Sequence, residues 1–156
     1  MKDQIWNEIV TELQEGISQR SHPFRFATLA TLGLERLPRL RTIKIREFDP
    51  ESLQMTFYTD SRSKKILHIK ENNKVSLLLY HPEKLLQLRI EGLAIRERDE
   101  EVLKDHWMRL DGNGQRDYTS STAPGTEIIP HAEGVPVLVM TSYASVRSAV
   151  ESMKQG

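Results

Sequence analysis

The run Arg41-Thr42-Ile43-Lys44-Ile45-Arg46 alternates polar and apolar side chains. That period of two commits this part of the chain to a strand with one wet face and one buried face. Phe48-Asp49-Pro50-Glu51-Ser52 follows as turn chemistry, with Pro50 presetting φ and Asp49 able to bond nearby backbone. Leu53 to Tyr58 (LQMTFY) reads as a second strand, so the two runs are expected to pair as an antiparallel hairpin. Asp60-Ser61-Arg62-Ser63-Lys64-Lys65 then sets three cations and two hydroxyls just before Ile66 and Ile69, where a helical rhythm begins. The unpaired N–H groups and dipole of a helix start favour an anion, so this cluster suits a phosphate. On composition alone the same residues suit a solvated turn with a few lysines better.

Composition narrows the classes. A chain of 156 residues is expected to form one domain with a real core. The absence of cysteine excludes disulfides, thiolate metal sites and a Cys nucleophile. No apolar run approaches a membrane span, and the start, MKDQIWNEIV, is charged and amphipathic, unlike a signal peptide. A cytoplasmic protein with no membrane partner is the expectation. Lys plus Arg equals Asp plus Glu at 22 each, so no global field draws in nucleic acid. Locally the charge is uneven. Arg36, Arg39, Arg41, Lys44 and Arg46 crowd one strand pair, while Glu97, Asp99, Glu100 and Glu101 crowd a later segment. A small anionic ligand fits that pattern better than a long polyanion.

In chain order, Lys2 to Ile17 has the three- and four-residue apolar spacing of an amphipathic helix, with Trp6 in its core face and Gly16 near its end. Ser21-His22-Pro23 breaks it, leaving His22 as an exposed loop histidine. Phe24 to Leu32 (FRFATLATL) alternates like a sheet strand, and Gly33-Leu34-Glu35 turns the chain into Arg36–Arg46. After the hairpin come a short helix over Ser63–Glu71, a strand over Lys74–Tyr80 buried on much of both faces, and a strand over Leu85–Ile95. Gly92 inside the last marks a place for a bulge or a close backbone approach. Asp99 can cap a helix running to Leu110 whose apolar side is Val102, Leu103, Trp107 and Leu110. Asp111 to Ile128 is a Gly/Ser/Thr loop region with room for one helical turn, Val135 to Thr141 is a strand, and Tyr143 to Met153 suits strand or helix. His81 and His106 are too isolated in sequence to argue a metal site. Hairpins with a few helices give an antiparallel α+β fold, a closed or partly closed barrel.

The ordered set FATLAT (26–31), RTIKIREFD (41–49), FYTD (57–60), SRSKK (61–65), KENN-KVSLLLYH (70–81) and LQLRIEG (86–92) resembles the FMN-binding split-barrel flavoproteins related to pyridoxamine 5′-phosphate oxidase. YTDSRSKK and HWMRL resemble an oxidase-like branch rather than the oxidase itself. The resemblance implies a six-stranded Greek-key split β-barrel with flanking helices. It implies one domain over 1–156: an N-terminal helix at 1–18, a barrel core at 24–97, a helix at 99–110 and C-terminal strands at 135–152. It also implies a homodimer with FMN at the subunit interface.

Residue by residue, Arg41 is similar to the arginine that reaches the FMN phosphate. Thr42 and Ile43 would lie along the flavin with backbone contacts, and Ile43, Ile45 and Leu88 would wall the ring slot. Tyr58 and Thr59 would line the ring or ribityl side. Ser63, Lys64 and Lys65 stand where the family has a Ser-Arg-Lys phosphate clamp. Lys64 keeps the charge but loses the bidentate fork, for which Arg62 could substitute. Gln87 matches a flavin-contacting glutamine, commonly across the dimer interface, and equally fits an outward strand residue. Thr119 and Ser120 fall near a Gln-Ser pair of the family.

The chain also departs from the oxidases. Arg46 stands at their substrate-binding lysine, and their C-terminal Trp segment with its Arg-x-His motif has no counterpart after Val135. The implied function is therefore an FMN-dependent oxidoreductase without an expectation of vitamin B6 oxidation. The alternatives are an FMN- or haem-binding sensing module without turnover, or a cofactor-free structural dimer.

Overall fold

The computed structural model describes residues 2–116, Tyr118 and the strand at 137–141. Helix α1 (Lys2–Ser18) turns Ile9, Leu13 and Gly16 inward at helical spacing. Gly16 is required there: a Cβ would lie 2.7 Å from the backbone carbonyl carbon of Phe24. Phe24 belongs to a 3-10 turn, Pro23–Arg25, so the strand expected from residue 24 begins instead at Phe26. His22 caps that turn, its Nδ1 accepting from the Phe24 N–H at 3.1 Å, and is buried rather than exposed.

The strands are β1 (Phe26–Leu32), β2 (Pro38–Asp49), β3 (Gln54–Tyr58), β4 (Lys74–His81), β5 (Leu86–Arg96) and β6 (Val137–Thr141). Neighbours pair antiparallel in the order β1-β2-β3-β6-β5-β4, and β4 returns to β1 through Thr28↔Leu78, so the sheet curls into a barrel. Helices α2 (Lys64–Glu71), α3 (Glu100–Arg109) and α4 (Gly112–Arg116) flank it. The α+β antiparallel class read from the hairpin pattern agrees with this arrangement. Leu29, Ile43, Ile45, Phe57, Leu77 and Leu79 fill the interior with α1 closing one side.

Several local expectations change. Strand β4 alternates strictly, with Val75, Leu77 and Leu79 inward and Leu78 and Tyr80 exposed, so it is buried on one face and not on both. Strand β2 runs on to Asp49 because Phe48 pairs opposite Met55 and packs on the core; the turn begins only at Pro50. The β4–β5 ladder passes through Val75↔Gly92 without interruption, so Gly92 carries no bulge. The bulge lies in β2 instead, between Ile45↔Phe57 and Glu47↔Thr56, with Arg46 as the additional residue. In α3, capped by Asp99 Oδ1 from the Glu101 and Val102 N–H groups, Val102 is exposed and the buried residue is His106. The expectations for Thr119 to Ile128 and Tyr143 to Met153 lie outside the described residues.

Candidate functional site

The hydroxyl–cation cluster folds as the sequence suggests, with Ser63 at the N-cap of α2 in extended conformation (φ −66, ψ 136). Its side chain makes no capping bond. Instead Ser63 Oγ accepts from Lys65 Nζ at 2.8 Å, and Thr59 Oγ1, at the end of β3, accepts from the same ammonium at 2.7 Å. Ser63 opens on a cavity of about 730 Å³, which Arg41 and Thr42 of β2 and Lys64, Lys65 and His68 of α2 also line.

Arg41 is aimed by a network. Its Nη1 donates to Thr31 Oγ1 at 2.6 Å and to the Arg39 carbonyl at 3.0 Å, while Nη2 lies 3.3 Å from His68 Nδ1. Thr31 Oγ1 is itself 3.1 Å from His68 Nδ1. A guanidinium only donates, so His68 Nδ1 is the acceptor and the neutral ring carries its proton on Nε2. Burial, reinforced by Arg41, holds the His68 imidazolium below its ordinary range. Burial, with Arg41 beside it, pushes the Lys65 ammonium down to about 8. Two partly buried cations, Arg41 and Lys65, thus share one cavity with the exposed Lys64 and the Arg39–Glu35 ion pair, and among the described residues neither Arg41 nor Lys65 forms an ion pair.

The predicted residues divide accordingly. Arg41, Thr42, Ser63, Lys64 and Lys65 meet on this cavity, and Thr59 joins through Lys65. Arg62 does not join the cluster, because its guanidinium closes on Asp60, Nε to Oδ1 at 2.8 Å and Nη2 to Oδ2 at 2.5 Å. Ile43, Ile45 and Leu88 face the barrel core and are nearly inaccessible, so they cannot wall a flavin slot; only the backbone of Ile43 is available. Tyr58 lies apart from this cavity: its hydroxyl meets His106 Nδ1 at 2.9 Å and its ring lies under Arg46. Gln87 sits opposite Tyr80 on β5, away from these groups. Thr119 and Ser120 lie outside the described residues. Two residues were missed, Thr31 and His68. The inward parity of FATLAT marks the first, and the second lies one turn after Lys65 on α2.

Elsewhere, Glu12, His22 and His81 converge, their nearest polar atoms all within 4.8 Å of one another and all three residues buried. His81 is therefore not isolated. The composition is that of a metal site, but the proton pattern is not. His22 Nδ1 accepts from the Phe24 N–H, and His81 Nδ1 accepts from the Lys84 N–H at 3.3 Å. Neutral rings so held carry protons on Nε2, the atoms 3.2 and 3.8 Å from Glu12 Oε2. Lys84 Nζ on Glu12 Oε1 ties α1 to the end of β4, and the two ring nitrogens flank Glu12 Oε2 at ion-pair distance without a hydrogen bond to it.

A curled antiparallel sheet with flanking helices and a hydroxyl-lined cationic cavity at a helix start defines an α+β barrel protein suited to a phosphate-bearing ligand. The family model of the pyridoxamine 5′-phosphate oxidase FMN-binding domain matches residues 3–96, and the chain belongs to that family. It is 31% identical over 103 residues to the pyridoxine/pyridoxamine 5′-phosphate oxidase of Flavobacterium johnsoniae, covering 66% of this chain and 46% of the relative. It is 37% identical over 73 residues to the enzyme of that name from Rubrobacter xylanophilus, covering 47% of this chain and 33% of the relative. The matched part thus spans less than half the length of these relatives. A pyridoxamine 5′-phosphate oxidase-related, FMN-binding protein from Nostoc punctiforme shares the fold, with a TM-score of 0.69, 24% identity and coverage of 87% of this chain and 78% of that one. FMN is the cofactor of the family's domain. The cavity fits its phosphate: two partly buried cations, Arg41 and Lys65, two hydroxyls and a helix N-terminus converge there, and among the described residues no carboxylate is bound to either cation.

Proposed function

We propose that the protein is an FMN-dependent oxidoreductase that works as a homodimer, with the FMN phosphate held by Arg41, Ser63, Lys64 and Lys65. The observation that carries this reading is the pairing of Arg41 and Lys65 in one cavity with neutral partners only. A phosphate monoester brings about two negative charges, which match two otherwise repelling cations. Thr42 and the backbone of Ile43 border the path from the phosphate along β2, and Thr59 fixes Lys65. FMN, when bound, supplies hydride or electron transfer; the chain binds and orients it.

Exposed apolar side chains on the outer face of the sheet, Phe26, Leu40, Leu78 and Tyr80 among them, favour a second copy as cover. Gln87, next to Tyr80 on that face, would then meet flavin bound mainly by the other protomer. On this reading residues 1–156 form one six-stranded split-barrel domain, placed in the cytoplasm. Arg46, in place of the oxidases' lysine, argues for a substrate other than a B6 phosphate.

The test is a visible spectrum of the purified protein before and after adding FMN, with its mass in solution. One FMN per chain in a dimer is the expected result. A colourless protein that ignores FMN would sink the cofactor and the enzyme together.

A further inference from the structure

Among the described residues, four cations meet in a second cavity without a matching set of acids. This cavity, of about 600 Å³, lies on the other side of Thr42 along β2 and is lined by Arg20, just past α1, Arg25 in the 3-10 turn, and Lys44 and Arg46 of β2. Asp111 is the one carboxylate among its lining residues. Arg109 also lines it but is already engaged by Glu47 at 2.6 Å and by Asp105. Among the described residues Arg20, Arg25 and Lys44 form no ion pair. Among the described residues Arg46 lies 5.0 Å over the Tyr58 ring and donates only to the Tyr118 hydroxyl, at 3.3 Å, and its Nε is buried with no acceptor.

Unbalanced cations at short range repel and lose hydration, and proteins tolerate that mainly where something else supplies the counter-charge. The strain registers on Lys44. Burial first, then Arg46, Arg25 and Arg20, push its ammonium below the ordinary range, and Asp111 offsets only part of this. Other strong charges are matched locally, as in Arg39–Glu35 and Arg62–Asp60. Phe26, paired directly opposite Lys44, and Tyr118 add aromatic walls.

We propose that this cavity binds a small ligand carrying three or more negative charges, a diphosphate ester or a tricarboxylate, as the substrate of the flavin site. Three partly buried cations, Arg25, Lys44 and Arg46, meet here against two such cations, Arg41 and Lys65, in the first cavity, so a phosphate monoester with its roughly two charges falls short. Thr42 lines the first cavity and Lys44 the second, two residues apart on one strand and so about 7 Å. A ligand here therefore adjoins whatever the first cavity holds. The role as substrate rests on the FMN reading; the binding itself does not. Nucleic acid fits poorly, because the charge is gathered inside a concavity and the chain carries no net charge.

The experiment is calorimetric titration of the full chain, with and without saturating FMN, at fixed ionic strength. Inorganic pyrophosphate and citrate are the polyanion probes, which separates the diphosphate from the tricarboxylate source. Inorganic phosphate and pyridoxamine 5′-phosphate are the dianion probes, and a short single-stranded oligonucleotide is the macromolecular one. We expect one polyanion to bind at least tenfold tighter than either dianion. Arg25→Ala with Lys44→Ala should erase that preference, whereas Lys65→Ala should lose FMN and keep it. Lys44→Gln serves where the double variant melts early. Equal affinity for all small anions overturns the proposal, as does preference for pyridoxamine 5′-phosphate, or oligonucleotide binding that the same variants abolish. A protein that binds the polyanion but never FMN would instead overturn the cofactor reading and leave this site standing.

Discussion

Arg41 Nη1 lies 2.6 Å from Thr31 Oγ1, so a buried threonine on β1 aims the guanidinium that faces the first cavity. Thr31→Val keeps the shape and removes the acceptor. FMN affinity should fall about tenfold, the loss of roughly one hydrogen bond to a charged group, while riboflavin, which lacks the phosphate, should bind as before. Fluorescence quenching measures both. Equal losses for the two flavins would mean that Thr31 serves packing alone.

Direct contacts should weigh more. Arg41→Ala and Lys65→Ala are each expected to weaken FMN binding by about 1.5–3 kcal/mol, with an unchanged circular dichroism spectrum. Unaltered affinity in the double variant would move the phosphate elsewhere.

Lys65 also makes FMN binding a proton event. In the cofactor-free protein its ammonium is lowered from 10.5 to about 8, mainly by burial and then by Arg41. A depressed lysine favours the neutral form in the folded state, so its contribution to stability is present above the unfolded value and lost as pH falls through about 8. A phosphate beside it reverses the shift. Calorimetry near pH 8.5 in buffers of different ionisation enthalpy should therefore show proton uptake on FMN binding. No uptake would place Lys65 away from the anion.

His68 adds an acid-side effect of its own. Its folded value is lowered, by burial first and then by Arg41, so the unfolded chain takes up the proton first and stability falls as pH drops below about 6.5. His68→Gln should flatten that part of the stability profile; an unchanged slope would assign it to other groups.

The buried trio makes a prediction of opposite character to its composition. Added zinc should leave the melting temperature unmoved, because Nε2 of both rings carries a proton. His22→Ala, by contrast, should destabilise by about 1–3 kcal/mol, since the Phe24 N–H loses its acceptor in a buried site and the Glu12 carboxylate its imidazole neighbour. Stabilisation by zinc would show that the rings can exchange tautomers.

Legibility in the sequence followed the range of the interactions. Period-two alternation exposed β2 and β3, and the three- and four-residue spacing exposed α1, because each pattern is local. The Ser63–Lys65 cluster was legible for the same reason: cap and cations are contiguous. Ile43, Ile45 and Leu88 misled, since the same alternation that makes a strand fixes which side points inward, and flavin walls were assigned to the inward set. His22 and His81 were hidden because their partner, Glu12, lies on another element, far away in the chain. The bulge at Arg46 did leave a trace. Apolar parity switches from odd at Ile43 and Ile45 to even at Phe48, and one additional residue in β2 is what lets all three face the core.

That additional residue has a consequence for how such chains can diverge. A bulge is a position where the strand holds one more residue than its partner needs, so excising Arg46 would leave Ile45 and Glu47 to pair in ordinary succession with Phe57 and Thr56. One cation of the second cavity, Arg46, is thus borne by the bulged position that the β2–β3 ladder skips between Ile45 and Glu47. Ligand preference at this position is free to drift, by replacement or outright deletion, while the scaffold that carries the cofactor pocket is inherited unchanged.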